Sequence, residues 1–195
     1  GEEGRSSFEG LALVTDADLG EVAWIAADLL GSPKVSAAAL KLLGDGGRPV
    51  VAHDAKALMR GLDECDVDLR SLSLDTMIAA YLLDPAESRY ALEPLLERYA
   101  GARLPLDEDQ DDGQLDFGGD ETSRGGDAAR ARAIGILTES MTAALKSSGM
   151  LPLYVDVEIP LIGVLARMEA RGIAVDRTGL SAIRDELSAR ASKLT

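Results

Sequence analysis

Apolar positions along the chain switch between a spacing of two and a helical spacing, and the clearest switch lies in residues 71–101. Leu72 and Leu74 alternate with Ser71 and Ser73, as on a half-buried strand. Asp75 stands where a helix N-cap belongs, because its carboxylate can accept the free N–H groups of a first turn. Met77, Ile78, Tyr81 and Leu82 then form one apolar helical face. Asp84-Pro85 ends that helix, since proline restrains the residue before it and cannot continue the hydrogen bonding. Leu92, Leu95, Leu96 and Tyr99 form a second stripe, and Gly101 closes it.

The same reading extends to both sides. Residues 11–15 and 21–25 read as strands around a DADLG turn, a hairpin pattern. Val35, Ala39, Leu40 and Leu43 mark a helix ended by Gly44, Gly46 and Gly47. Residues 48–52 form a short strand, and Leu58, Met59 and Leu62 mark the next helix. Strands alternating with helices favour an α/β fold. Ile134, Leu137, Met141 and Leu145 stripe a helix over residues 128–146, which Ser147, Ser148 and Gly149 end. Beyond that break, Val155, Ile159, Ile162, Leu165 and Met168 fall at helical spacing, with Pro160 starting or kinking the helix. Gly172 caps it, residues 173–176 are extended, and Asp176 caps a last helix. The domain boundary is therefore expected at 149, giving domains at 1–149 and 150–195. Residues 1–10 read as a frayed end or loop.

Composition changes this picture at one place. Residues 106–127 are acidic and Gly-rich, with few apolar side chains, and read as a mobile surface loop. A calcium loop needs Gly at its sixth position and Glu at its twelfth. Counted from Asp107 these are Asp112 and Gly118; counted from Glu108 they are Gly113 and Gly119. Both registers fail. The whole chain has 195 residues, 46% of them hydrophobic, and a net charge of −14. Phosphate binding draws on Lys and Arg, so the chain is too acidic for strong DNA binding of its own. No run is long enough to span a membrane, so no membrane partner is expected. A single cysteine, Cys65, excludes an internal disulfide and suits a reducing, cytoplasmic setting.

Other chemistry is thinly represented. His53 is the only histidine, so His-based zinc sites and a Ser-His-Asp triad have little to draw on; it reads as a surface or cap residue. Cys65 lies between Glu64 and Asp66, which does not activate a thiol. No GK[ST] follows the glycines at 44–47, so they form no phosphate loop. Trp24 reads as a strand residue packing on a neighbour.

The run LDTMIAAYLLDP, followed by RYALEPLLERY, resembles the middle of the 3′–5′ exonuclease domain of bacterial family A DNA polymerases, and EIPLIGVLARMEARGIAVD resembles the opening of their polymerase domain. The resemblance implies an RNase H-like (DEDD exonuclease-like) mixed sheet flanked by helices, then helices of the polymerase domain. In active members, carboxylates hold two divalent metals that orient and ionise the attacking water. The motifs are Asp-x-Glu on the first strand, an Asp in a helix after the third, and Tyr-x-x-x-Asp on a late helix.

These positions are largely empty of acid here. The nearest string to the first motif is Asp16-Ala17-Asp18, but residues 11–25 match the hairpin that follows the motif strand. That strand is then expected upstream of Gly1 or absent. VAHDAKALMRGL resembles V-G-Q-N-L-K-Y-D-R-G-I-L, with Lys56 kept and Leu58 at the metal-binding Asp; Asp54 reads as a helix cap. AIGILTESMTAAL aligns with the last motif, with Ala133 at the Tyr and Leu137 at the Asp. Glu139 would point off the site, and Asp75 matches D-T-M as a cap. The resemblance thus implies part of a DNA polymerase I in replication and repair, with Mg²⁺ and DNA primer-template engaged by the parent polymerase domain. Within this chain no catalytic residue, metal ligand or cofactor is expected. Two other readings compete: an exonuclease with the rearranged set Asp16, Asp18, Asp54 and Glu139, and a non-enzymatic acidic adaptor.

Overall fold

The computed structural model describes residues 8–16, 20–103 and 119–192. Strand β1 (Gly10–Asp16) pairs antiparallel with β2 (Glu21–Ala26), Leu11 opposite Ile25 and Ala12 opposite Trp24. A Cβ at Gly10 would lie 2.6 Å from the Trp24 ring and from the Ile25 carbonyl oxygen, so only glycine lets the indole close on this pair. Helix α1 (Ala27–Leu30), which no apolar spacing predicts, buries Leu30. Helix α2 (Pro33–Leu43) begins on proline, whose fixed φ suits the first helical turn. It buries Ala39 and Leu43.

The second sheet holds the landmark of the sequence. Strand β3 (Val50–Ala52) leads into α3 (Ala55–Asp63), and β4 (Leu72–Asp75) into α4 (Thr76–Leu83). Strands β3 and β4 run parallel, with a register shift between Val50 and Val51. Both strand directions of a mixed sheet are present, but in two separate two-stranded sheets. On α4 the fully buried residues are Thr76, Ala79 and Ala80; of the expected face, Ile78 and Leu82 pack partly buried against the clusters, whereas Tyr81 is exposed. Small residues let α6 approach closely, and Tyr81 turns outward to meet Tyr90 edge-on at 6.1 Å. Helix α5 (Leu92–Ala100) buries Leu92, Leu95 and Leu96 and ends on Gly101 at φ +62°.

Helix α6 (Gly119–Ser147) packs against β1, β2, β3, α4 and α5. It already includes residues 119–127, which composition predicts as loop. A long helix propagates through polar sequence once its later turns are anchored, here by Ala133, Leu137, Met141 and Leu145, all buried. The remainder of the expected acidic loop, residues 106–118, lies outside the described residues. Two apolar clusters result. One gathers Leu11, Leu30, Leu43, Leu62, Val67 and Leu72; the other gathers Leu74, Ala79, Leu92, Leu96 and the α6 stripe.

After α6 the chain turns through 117° around Gly149, which takes φ +72°. Helix α7 (Leu151–Leu153) passes through a π-helical turn (Tyr154–Glu158) into α8 (Ile159–Arg171). The Ile159 N–H donates to the Tyr154 carbonyl, five residues back. Pro160 accounts for this: its ring excludes the carbonyl four residues before it and brings no N–H of its own. Tyr154 joins the second cluster and Ile162 the first, so this segment packs directly on the preceding fold. Lys56 and Arg60 of α3 reach the Glu169 carboxylate of α8 at 2.7 and 3.5 Å.

The apolar stripe expected on this segment divides. Ile162 is buried and Ile159 packs partly buried against both clusters, whereas Val155, Leu165 and Met168 are exposed, because α8 meets the fold along the face that holds Ile159, Ile162 and Ala166. Helix α9 (Arg177–Ser192), capped by Asp176 through the Gly179 N–H, buries nothing; Leu180, Ile183 and Leu187 are each more than half exposed. Among the described residues no single helix is long and apolar enough to cross a membrane. Truncating Ile162 to Ala is expected to cost about 2–5 kcal/mol of stability in urea unfolding; a loss below ~0.5 kcal/mol would mean that α8 does not share the core.

Candidate functional site

The parallel strands β3 and β4 end side by side, and the polar groups at their ends converge on Asp75. That residue is only 1% exposed. Its Oδ1 accepts from Met77 N–H at 2.8 Å and Ile78 N–H at 3.3 Å, capping α4. The same carboxylate accepts from Ala55 N–H at 2.7 Å and Asp54 N–H at 3.3 Å, at the start of α3. One side chain thus satisfies donors at two helix N-termini, groups that otherwise lack partners. Tyr154 closes the arrangement from the π-turn: its hydroxyl accepts the Asp75 N–H at 2.6 Å and donates to the Asp75 carbonyl at 3.1 Å.

His53 and Thr76 extend this node. The Thr76 hydroxyl donates to the Ala52 carbonyl at 3.3 Å, so it accepts from His53 Nδ1, 2.8 Å away. That fixes the proton on Nδ1 and leaves Nε2 unprotonated. Burial holds the imidazole below its ordinary pKa, with Asp75 pulling the other way and Arg130 adding to the depression. Burial also lifts the Asp75 carboxyl above the usual range, against the backbone donors from Ala55, Met77 and Ile78. The Tyr154 phenol is pushed up by burial as well and stays neutral. Neither His53, read as a surface or cap residue, nor Tyr154 was legible as part of this node. Their partners lie 23 and 79 residues away, and no local spacing reports such contacts.

Among the described residues, the positions that carry acid in active family members do not assemble a cation site. Asp54 is the N-cap of α3, in a left-handed conformation with φ 58°, its carboxylate accepting the Ala57 N–H at 3.2 Å. Asp tolerates that conformation because its short polar side chain bonds locally. Leu58 is half-buried on the first cluster, Leu137 is fully buried in the second, and Ala133 is 1% exposed. Glu139 is exposed on α6. The side chains of Asp16 and Asp18 lie outside the described residues. Among the described residues no three of His, Cys, Asp and Glu form a group able to hold a metal ion. Divalent metals need several oxygen ligands at one point, so the two-metal chemistry implied by the resemblance does not fit this donor set. Burial pushes the Cys65 thiol up, Glu64 and Asp66 add to the rise, and a thiol so held is unreactive.

Residues 8–110 match the family described as DNA polymerase I, ribonuclease H-like domain. The chain is 30% identical over 185 residues to DNA polymerase I of Mycobacterium tuberculosis, covering 91% of this chain and 20% of that protein. It is 30% identical over 151 residues to DNA polymerase I of Geobacillus stearothermophilus, covering 76% of this chain and 17% of that protein. A solved structure described as the POL domain of Pol1 from M. smegmatis in complex with DNA primer-template and dNTP superposes with a TM-score of 0.70 at 28% identity. That match covers 86% of this chain and 26% of the other. The chain therefore spans about a fifth of the length of the curated relatives it matches.

Two outcomes follow from the node. Asp75→Ala strips partners from buried donors at two helix starts and is expected to lower stability by about 2–4 kcal/mol in urea unfolding, twice a single cap; a loss under ~1 kcal/mol would contradict the double cap. Because the folded pKa of His53 lies below its unfolded value, the unfolded state gains the proton first on acidification. Stability is then retained above pH 6.5 and lost as pH falls below it. Comparing unfolding at pH 7 and pH 5, His53→Gln should show a shallower loss than the parent sequence; an equal slope would contradict this burial.

Proposed function

Because the chain belongs to the DNA polymerase I ribonuclease H-like domain family, we propose that it is the exonuclease-like platform, residues 1–149, and the opening of the polymerase domain, residues 150–195, of a bacterial DNA-directed DNA polymerase. The parent adds nucleotides to a primer 3′ end in replication and repair, in the cytoplasm. Mg²⁺ and the primer-template are engaged by its polymerase domain. The exonuclease-like part contributes shape and support, not hydrolysis.

The observation that carries this reading is the burial of Leu137. An aliphatic side chain at a metal-ligand position could still flank a working site if it faced solvent or a cleft. Here it is 0% exposed among Leu96, Met141 and Leu145, where a carboxylate would be desolvated without a partner. Leu58 at the second position is half-buried against the first apolar cluster and borders the groove between β1 and β3. The net charge of −14 fits a part that does not itself grip DNA, since phosphate contacts draw on Lys and Arg. The platform role is supported by the outer faces of α8 and α9. Leu161, Leu165, Met168, Leu180, Ile183 and Leu187 leave an apolar surface of the kind that further polypeptide covers.

The test uses the parent polymerase with a single-stranded 3′ end and Mg²⁺ or Mn²⁺. Primer extension is expected with no metal-dependent removal of 3′ nucleotides above background. Degradation that disappears on changing Asp54 or Glu139 to Ala would overturn the reading in favour of a rearranged carboxylate set.

A further inference from the structure

The buried side of the segment after α6 changes phase between Tyr154 and Ile159. In α8 the residues that meet the fold are Ile159, Ile162 and Ala166. Carried backwards from Ile162 at α-helical pitch, about 100° per residue, that line passes within about 20° of Val155 and about 80° from Tyr154. The fold shows the reverse: Tyr154 is 1% exposed and Val155 51%. The π-turn (Tyr154–Glu158) accounts for the change. A turn closed from residue i to i+5 holds one residue more than an α-turn, so Tyr154 takes the angular place that Val155 would have.

What holds Tyr154 in that place is its hydroxyl. Asp75 ends β4, and its backbone N–H and carbonyl are both taken by the phenol oxygen, at 2.6 and 3.1 Å. One side chain thus supplies the donor and the acceptor that a neighbouring strand would offer at this residue. Pro160 works to the same end. In a regular helix its ring would meet the Asp156 carbonyl, four residues back, whereas the π-turn sends the Ile159 N–H to the Tyr154 carbonyl. Val155 is aliphatic and suits burial, but it carries no group that could meet the Asp75 backbone. The segment therefore has two discrete packings that differ by one residue, and Gly149 can absorb the rotation between them. It sits at φ +72° with no atom within 4 Å of where a Cβ would lie.

We propose that the root of α8 is a one-residue register lock. In the locked register Tyr154 is docked on Asp75, and the segment is tied to the end of β4. In the released register the helix is regular, Val155 faces the fold, and the Asp75 backbone groups lose their partner. Helix α8 keeps its seat in both, through Ile162, Ala166 and the pairs of Glu169 with Lys56 and Arg60. The lock therefore governs residues 150–158 and the end of β4. It deepens the reading of the chain as a platform joined to the opening of a polymerase domain, and rests on that reading only for what α8 leads into.

Residue-resolved amide exchange on the full chain tests the lock. The Asp75 amide donates to the Tyr154 hydroxyl, whereas the Met77 and Ile78 amides donate to the Asp75 carboxylate and report that the strand end is intact. Tyr154→Phe keeps the ring and removes the hydroxyl. The Asp75 amide should then exchange on the order of 10-fold faster, with Met77 and Ile78 unchanged; an unchanged Asp75 rate would overturn the pin. Pro160→Ala opens the way to a regular helix and is expected to give the same selective acceleration. No acceleration, or an equal one at Met77 and Ile78, would overturn the second register. Adding Val155→Asp to Pro160→Ala separates a change of register from simple loosening. A carboxylate is tolerated where Val155 is half exposed but not where it faces the fold. The double variant should therefore return the Asp75 amide to the rate of the unsubstituted chain, and acceleration that persists would overturn the lock. None of these readouts involves nuclease or polymerase activity, so their failure leaves the outcome of the 3′-end assay untouched.

Discussion

The fold turns on one carboxylate that terminates a strand and starts two helices. Asp75 ends β4, and a chain leaving a parallel strand must satisfy the free N–H groups of the helix that follows. It meets that need for α4 and also serves α3, which leaves the neighbouring strand. The adjacent strands β3 and β4 are therefore linked through a side chain as well as through backbone bonds. Tyr154 extends the link to the segment after α6, because its hydroxyl uses both the N–H and the carbonyl of Asp75. The π-turn and the two prolines, Pro152 and Pro160, bring that tyrosine in. An ordinary helix through this stretch would carry its side chains around the axis at a different angle.

The same carboxylate shows what the acids near these strand ends do in the fold. Carboxylates at strand ends and helix starts suit metal binding because backbone donors and open edges gather there. In this chain the acids that remain near those ends, Asp54 and Asp75, accept backbone N–H groups. On α3 and α6, Leu58 packs half-buried against one apolar cluster and Leu137 is buried within the other. A leucine buried as fully as Leu137 contributes roughly 1.5–3 kcal/mol through the apolar area it removes from water, and half-buried Leu58 contributes less.

Much of this was readable in the sequence where the determining contacts are local. The strand ending at Asp75, its cap, the Asp84-Pro85 stop, Gly101 and the Ile134–Leu145 stripe all follow from spacing and capping within a few residues. The α/β class and the hairpin at 10–26 followed equally well. What failed was whatever depends on distant partners. The α4 face was legible only in part: Ile78 and Leu82 pack inward, but close approach of α6 puts Ala79 and Ala80 deepest and leaves Tyr81 outside. Residues 119–127 were read as loop because composition does not report a helix extended from its anchored end. Val155, Leu165 and Met168 sit at core spacing yet face outward, because what would cover them is not determined by their own segment. At the site, the leucines at 58 and 137 were legible as letters. The joint role of His53, Thr76 and Tyr154 was not, since it exists only after the chain has folded.

The central claim is that these positions pack instead of holding cations. It is tested most directly by following the thermal unfolding midpoint of the protein against increasing Mn²⁺, with an EDTA-treated sample as reference. A ligand that binds the folded state raises the midpoint in a saturable way. The account predicts a midpoint unchanged by the metal. A saturable rise, lost on replacing Asp54 or Glu139, would show that carboxylates converge on a cation after all and would contradict it.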